Sequence, residues 1–182
     1  MKRIVLVFGL ISGVIAAGLM WILIAVQNAG AVNIEHGMVY GYTTMIIALS
    51  LVFFGVKSYR DNNGGHISFF KGLQVGILIS IICAVCYAAS WELYYRGSGQ
   101  EFLQKYTAHY LDKMKADGAS DAEVAKAQAD MAQFMEQYKN FFVRFAFTLM
   151  EILPVGIIVT LISALLLRRR EILPASPAYE MP

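Results

Sequence analysis

The stretch GLQVGILISIICAVCYAASW, residues 72–91, runs for 20 residues without a charged side chain. An α-helix needs about 20 mostly apolar residues to cross the hydrocarbon core of a bilayer. Three further stretches have a similar length and character, at residues 4–26, 38–56 and 145–167. Strands of a membrane β-barrel are only about ten residues long and alternate in polarity, which none of these stretches does. The sequence therefore predicts four transmembrane helices.

The composition of the whole chain agrees with this prediction. Apolar residues make up 58% of the 182 positions and charged residues 15%, whereas soluble domains average roughly 45–50% and about 25%. The mean hydropathy is +0.55. A formal net charge of +2 provides no basic face for nucleic acid. We expect one all-α membrane domain over residues 1–182, with the lipid bilayer as its first partner and no nucleic acid.

The positions of Lys and Arg predict the orientation, because short loops rich in these residues stay in the cytoplasm. Lys2-Arg3 precedes the first span, three basic residues lie in loop 57–71, and three arginines open the tail at 168–170. Loop 27–37 has none. We therefore expect both termini in the cytoplasm and residues 92–144 outside, where seven basic and eight acidic residues weaken the contrast.

The first span also has features of a secretory signal peptide, since Lys2-Arg3 precedes it and Ala29-Gly30-Ala31 follows it like a cleavage site. The apolar core of a signal peptide is about 7–15 residues long, which is shorter than residues 4–26. We therefore expect this segment to remain as a transmembrane helix. The tail over residues 171–182, which contains three prolines, is expected to be disordered.

The segment between the third and fourth spans predicts an antiparallel helical hairpin over about 96–142, outside the membrane. Ser98–Glu101 and Ser120–Glu123 each fit a capping box, in which the serine caps a helix and the glutamate reaches back. Gly118 suits the end of the first helix because glycine tolerates positive φ. Two apolar stripes are able to bury each other: Leu103, Tyr106, Tyr110 and Met114, and then Val124, Ala127, Met131, Phe134, Tyr138 and Phe141.

Small residues recur at every fourth position of the spans. Because lipid removes the hydrophobic drive between helices, such positions favour close contact of helix backbones. The predicted packing faces contain Gly9 and Gly13 in the first span, Gly72, Gly76 and Ser80 in the third, and Gly156 in the fourth. We expect these faces to pack within the chain, with a neighbouring copy as the alternative.

Glu151 is the one ionisable residue well inside a span. It lies seven residues beyond Arg144, roughly 10 Å below the outer boundary at about 1.5 Å per residue. Pro154 follows one turn later, removes a backbone donor and is able to kink the helix. Four polar residues at comparable depth are candidate partners: Thr43, Thr44, Tyr87 and Thr148.

Two interpretations of Glu151 remain open. It is either an uncharged carboxyl that hydrogen-bonds between helices, or a proton carrier in transport, because intramembrane acids are often functional. A cavity that reaches Glu151 would favour transport. Tight packing against Tyr87 or Thr44 would favour the structural role.

Other chemistry has weak support. Cys83 and Cys86 form a C-x-x-C inside the third span, with no further cysteine in the sequence, and the three histidines lie outside the spans. Four zinc ligands cannot converge there, and a quinone-coupled thiol oxidase of similar size would need a second, outward cysteine pair. We expect no metal, cofactor or catalytic site. We expect Glu92 to be a solvated residue at the rim of the membrane. We expect Trp91, Tyr94 and Tyr95 to be anchors at the membrane–water interface.

Several strings together resemble one known family. They include GYTTMIIA at 41–48, FFGVKSYRD at 53–61, MEQYKN at 135–140 and EILPVG at 151–156. Their order and spacing are similar to those of a bacterial family of small inner-membrane proteins, catalogued as domain of unknown function 4199. The resemblance covers nearly the whole chain and implies four spans in a bacterial cytoplasmic membrane. It implies no activity, cofactor or catalytic residue.

Our leading hypothesis is a non-enzymatic protein with an interaction or structural role in the cell envelope. Its outward hairpin would engage a second copy or another envelope protein. The alternative is a proton-coupled transporter of small molecules that uses Glu151. An enzyme acting on lipids through Glu92 and Glu151 is the weakest hypothesis, because no nucleophile or metal site accompanies them.

Overall fold

The computed structural model describes residues 1–30 and 36–168, and this part of the chain is helical without a β-strand. The elements are α1 (Lys2–Asn28), α2 (Gly37–Asp61), α3 (Phe69–Tyr94), a π-helical turn (Tyr95–Gly99), α4 (Gln100–Ala116), α5 (Asp121–Tyr138) and α6 (Phe141–Leu167). The tail expected at 171–182 lies outside the described residues.

Four helices are long and apolar enough to cross a membrane, as expected of a multi-pass membrane protein. They are α1, α2, α6 and the continuous helix Phe69–Ala116. The surfaces of these helices agree with a location in the membrane, since large apolar side chains such as Val14 (70% exposed) and Ile158 (57% exposed) face outward. A soluble protein rarely exposes an apolar surface of this extent, whereas lipid tails solvate it well.

Helix α3 lies between α1 and α6, and small residues bring the backbones together. Gly76 faces Thr160 of α6 so closely that an added Cβ atom would lie 2.5 Å from Thr160 Cγ2. On the same face Ser80 meets Gly156, and on another side of α3 Cys86 meets Gly13 of α1. The small-residue face of α3 is therefore buried within this chain.

A buried polar contact joins three of the helices. Ser12 Oγ of α1 lies 2.7 Å from the carbonyl oxygen of Ala48 in α2 and 3.2 Å from Cys83 Sγ in α3. All three residues are fully buried. Buried hydroxyls need such partners because an unpaired one costs free energy. The C-x-x-C thus packs against α1, with Cys83 at Ser12 and Cys86 at Gly13.

The prediction of a capping box at Ser98–Glu101 is wrong. Ser98 lies in the π-helical turn, and α3 continues through that turn into α4. Because no helix begins there, no free N–H groups require a cap, and Glu101 instead pairs with Lys105 at 2.8 Å. The capping box at Ser120–Glu123 has both of its hydrogen bonds: Ser120 N–H donates to the Glu123 carboxylate, and Glu123 N–H donates to Ser120 Oγ. Gly118 follows the end of α4 with a φ of +89°, as expected.

The side chains of α4 are rotated relative to the expected stripe. Tyr106 and Tyr110 are each 40% exposed, and α4 meets α5 through Thr107 Oγ1, 3.9 Å from Met135 Sδ. Since α4 continues α3 without a break, its helical phase is set by α3 rather than by the best match with α5. On α5 the stripe is better preserved, because Val124 and Tyr138 are buried.

Gly76→Ala should destabilise the protein, and Gly18→Ala is the matched control because nothing lies within 4 Å of a Cβ atom there. We expect Gly76→Ala to lower the free energy of unfolding by about 1–3 kcal/mol through overpacking against Thr160. Gly18→Ala should leave it unchanged or raise it by up to about 1 kcal/mol. Unfolding by SDS in mixed micelles measures both, and equal effects would contradict the close α3–α6 contact.

Candidate functional site

A buried ion pair joins α3 to α6 at the end of the bundle that carries α4 and α5. Arg144 Nε and Nη2 donate to the two carboxylate oxygens of Glu92, both at 2.6 Å. The side chains are 7% (Glu92) and 6% (Arg144) exposed. The expectation that Glu92 is a solvated rim residue is therefore wrong, because its partner comes from another helix.

Arg144 also satisfies the end of α5. Its Nη1 donates to the carbonyl oxygens of Tyr138 (2.8 Å) and Lys139 (3.2 Å), groups that have no partner inside α5. Its Cζ atom lies 3.9 Å from the ring centroid of Tyr95, which belongs to the π-helical turn. One side chain thus links α3, the turn, α5 and α6, and compensates for the cost of burying two charges.

An aromatic cluster lies beside this ion pair. Trp91 Nε1 donates to Tyr138 Oη at 2.9 Å, and Trp91 also contacts Tyr94 and Phe102. Tyr94 and Tyr95 are buried inside the protein, so they are not the simple interface anchors that the sequence suggested. Burial raises the pKa of Tyr138 against the lowering effect of the hydrogen bond from Trp91, so this phenol keeps its proton at neutral pH.

A cavity of about 390 Å³ lies next to the cluster. Helices α1, α2, α3 and α6 form its walls, and α4 and α5 contribute at one end. The lining residues include Met20, Ile24, Gln27, Met38, Thr44, Tyr87, Trp91, Phe102, Lys105, Tyr106, Tyr138, Thr148 and Glu151. Aromatic and aliphatic walls with a few polar groups are typical of pockets for small molecules.

Most of the polar residues predicted around Glu151 do converge on this cavity. Thr44, Tyr87, Thr148 and Glu151 line it together. Two other predicted residues are placed elsewhere. Thr43 is exposed and donates to the carbonyl oxygen of Val39 at 2.7 Å, and Pro154 lies on the exposed surface of α6, which continues through it.

Glu151 has no hydrogen bond or ion pair within the part of the chain that the structure describes. It is accessible rather than packed. The threonines are satisfied within their own helices: Thr44 Oγ1 donates to Gly41 O at 2.7 Å and Thr148 Oγ1 to Arg144 O at 3.0 Å. Glu151 is thus an acid on the cavity wall whose carboxyl has no partner among the described residues.

Metal binding has no basis in the described residues, where no three His, Cys, Asp or Glu side chains cluster. The arrangement is suited to holding an organic molecule instead, with apolar contacts along the walls and one carboxyl for a polar group.

The ion pair was missed by the sequence analysis although a signal existed. Glu92 directly follows the third span and Arg144 directly precedes the fourth, so opposite charges stand at the same level of neighbouring spans. Taken by itself, a charged residue at the edge of a span is expected to be solvated. Considering the two span ends together would have suggested the pair.

Four membrane-length helices beside a cavity define the class: a multi-pass α-helical membrane protein with an open pocket between its helices. The model of a protein family of unknown function, DUF4199, matches residues 7–169, and the chain belongs to this family. No curated protein and no solved structure matches the chain.

Glu92→Gln should be strongly destabilising, because it leaves the Arg144 guanidinium buried without its counter-charge. Breaking a buried pair from one side typically costs about 3–5 kcal/mol. The control is Glu101→Gln, which removes a carboxyl from the exposed pair with Lys105 and should leave the thermal midpoint nearly unchanged.

The double variant Glu92→Gln/Arg144→Met should recover part of the loss, because no unpaired charge remains. Thermal unfolding in detergent compares all four proteins. Equal midpoints for Glu92→Gln and Glu101→Gln would show that the ion pair does not form.

Proposed function

We propose that this chain is a non-enzymatic protein of the bacterial cytoplasmic membrane that binds a small amphipathic molecule in the cavity beside Glu151. One observation supports this above all: the cavity reaches a carboxyl that has no partner among the described residues. A purely structural Glu151 would instead hydrogen-bond across to a neighbouring helix. Intramembrane acids are costly and are usually retained for a function.

The proposed orientation has both termini and loop 57–71 in the cytoplasm, on the basis of the Lys and Arg distribution. Helices α4 and α5 then form an antiparallel hairpin on the outer side. Lys105 and Tyr106 of α4 line the outer part of the cavity, so in this arrangement the hairpin borders the entrance.

The proposed role is binding rather than catalysis. The two threonine hydroxyls of the lining donate to carbonyl oxygens of their own helices, and Lys105 pairs with Glu101, so none of these three groups is positioned by Glu151 as a nucleophile. Binding, with or without transport, is what a carboxyl among apolar walls supports.

Proton-coupled transport is the more specific form of this proposal. In such carriers, a carboxyl near the middle of the membrane exchanges its proton for the ligand, and this exchange couples proton movement to ligand movement. The other titratable residues around the cavity are Tyr87 of α3, Lys105 and Tyr106 of α4, and Tyr138 of α5, whereas the lining residues of α1 and α2 are not titratable.

A second candidate function is interaction through α4 with a second copy or another envelope protein. Tyr106 and Tyr110 are one turn apart and both partly exposed, and tyrosine is enriched where proteins meet. Cross-linking in lipid nanodiscs tests this candidate, since a strict monomer without a co-purifying protein would exclude it.

Blocking the cavity mouth should abolish ligand binding. Met38 lines the cavity and is 68% exposed, and its neighbour Val39 is equally accessible but does not line it. We expect Met38→Trp to weaken binding at least tenfold by occupying the mouth, and Val39→Trp to leave it unchanged.

The probes are ten-carbon amphiphiles with an ammonium, hydroxyl or carboxylate head group, measured by native mass spectrometry in nanodiscs. At least one of them should form a saturable one-to-one complex. If none binds, or if the two tryptophan variants behave alike, the cavity is not a ligand site.

A further inference from the structure

We infer that the cavity takes an amphipathic amine, with its ammonium group at Glu151 and its apolar chain extending toward the outer end of α1. This inference rests on the proposed function and specifies the ligand class. It is carried by the charge of the lining residues, the direction of the hydrogen bonds around Glu151, and the shape of the cavity.

The charge of the cavity is negative at its inner end. Among the described lining residues, Glu151 and Lys105 carry the charged side chains. The Lys105 ammonium lies 2.8 Å from the Glu101 carboxylate, so its charge is balanced outside the cavity wall. The Glu151 carboxylate has no such counter-charge, and a cationic ligand would provide it.

The two threonines beside Glu151, Thr44 and Thr148, offer acceptors rather than donors. Both threonine hydroxyls use their hydrogens on carbonyls of their own helices, so they present oxygen lone pairs to a ligand. A carboxylate likewise only accepts. An ammonium group has three donors and no acceptor, which matches this set. A carboxylate ligand would meet charge repulsion from Glu151, because lining donors such as the Tyr87 hydroxyl and the Gln27 amide carry no charge to offset it.

The aromatic residues beside the carboxyl add to the preference for a cation. Tyr87 and Trp91 of α3 line the same cavity, and aromatic faces attract cations within about 6 Å. A contact of this type already occurs within the protein, where the guanidinium of Arg144 lies over the ring of Tyr95.

The shape of the cavity suits a short chain. Its α1 wall extends from Met20 to Asn28, eight residues or about 12 Å of helix, and includes the apolar Leu23 and Ile24. A volume of about 390 Å³ accommodates on the order of a dozen non-hydrogen atoms, at about 30 Å³ each. A ten-carbon amine has this size.

The test compares decylamine, 1-decanol and decanoate in nanodiscs of phosphatidylcholine, which carries no net charge and limits non-specific attraction. Trp91 lies in the cavity wall, so in a Trp21→Phe background its fluorescence reports occupancy in titrations at pH 7. We expect decylamine to bind at least tenfold more tightly than 1-decanol, and decanoate more weakly than either.

Glu151→Gln should remove the preference for the amine, and Glu151→Asp should retain part of it because the charge is kept. The matched control is Glu136→Gln, which removes the same charge from an exposed site on α5, where Glu136 pairs with Lys139. It should leave the preference unchanged. Thermal midpoints of the variants verify that each remains folded.

The outcomes separate the two proposals. If 1-decanol binds as tightly as decylamine and Glu151→Gln alters neither, the amine inference is overturned and the binding cavity stands. If none of the three amphiphiles binds to the unaltered protein, both proposals are overturned.

Discussion

The close approach of α3 to α1 and α6 is the constraint on which the rest of this structure depends. Within a bilayer, helices gain little from hiding apolar side chains, so their association depends on contact between surfaces that fit. Gly76 and Gly156 allow α6 to lie directly against α3, and Gly13 allows α1 to do so from another side. The central position of α3 follows from these contacts.

The cavity arises where this close packing ends. Toward the C-terminal end of α3, Tyr87 and Trp91 stand among the small residues, and their rings line a space instead of closing it. The Glu92–Arg144 ion pair connects α3 and α6 at this level. Arg144 also binds the last carbonyls of α5, which positions Tyr138 in the cavity wall.

The two carboxyl groups of this region illustrate how environment decides their roles. Glu92 is enclosed and meets a guanidinium with both oxygens, so its hydrogen-bonding capacity is largely used within the protein. Glu151, nearly three turns along α6 from the start of the helix, lies on the cavity wall without such a partner among the described residues. The first carboxyl holds helices together, whereas the second is available to a ligand.

The amino-acid sequence by itself determined the helical spans, the cap at Ser120 and the singular position of Glu151, because apolar length, local capping and an isolated charge are properties of neighbouring residues. Only the tertiary structure decided that Glu92 meets Arg144, 52 residues away, and that α3 continues through Ser98 into α4. Both depend on how helices rotate and align against one another. That alignment is set by packing across the bundle, which no local pattern encodes.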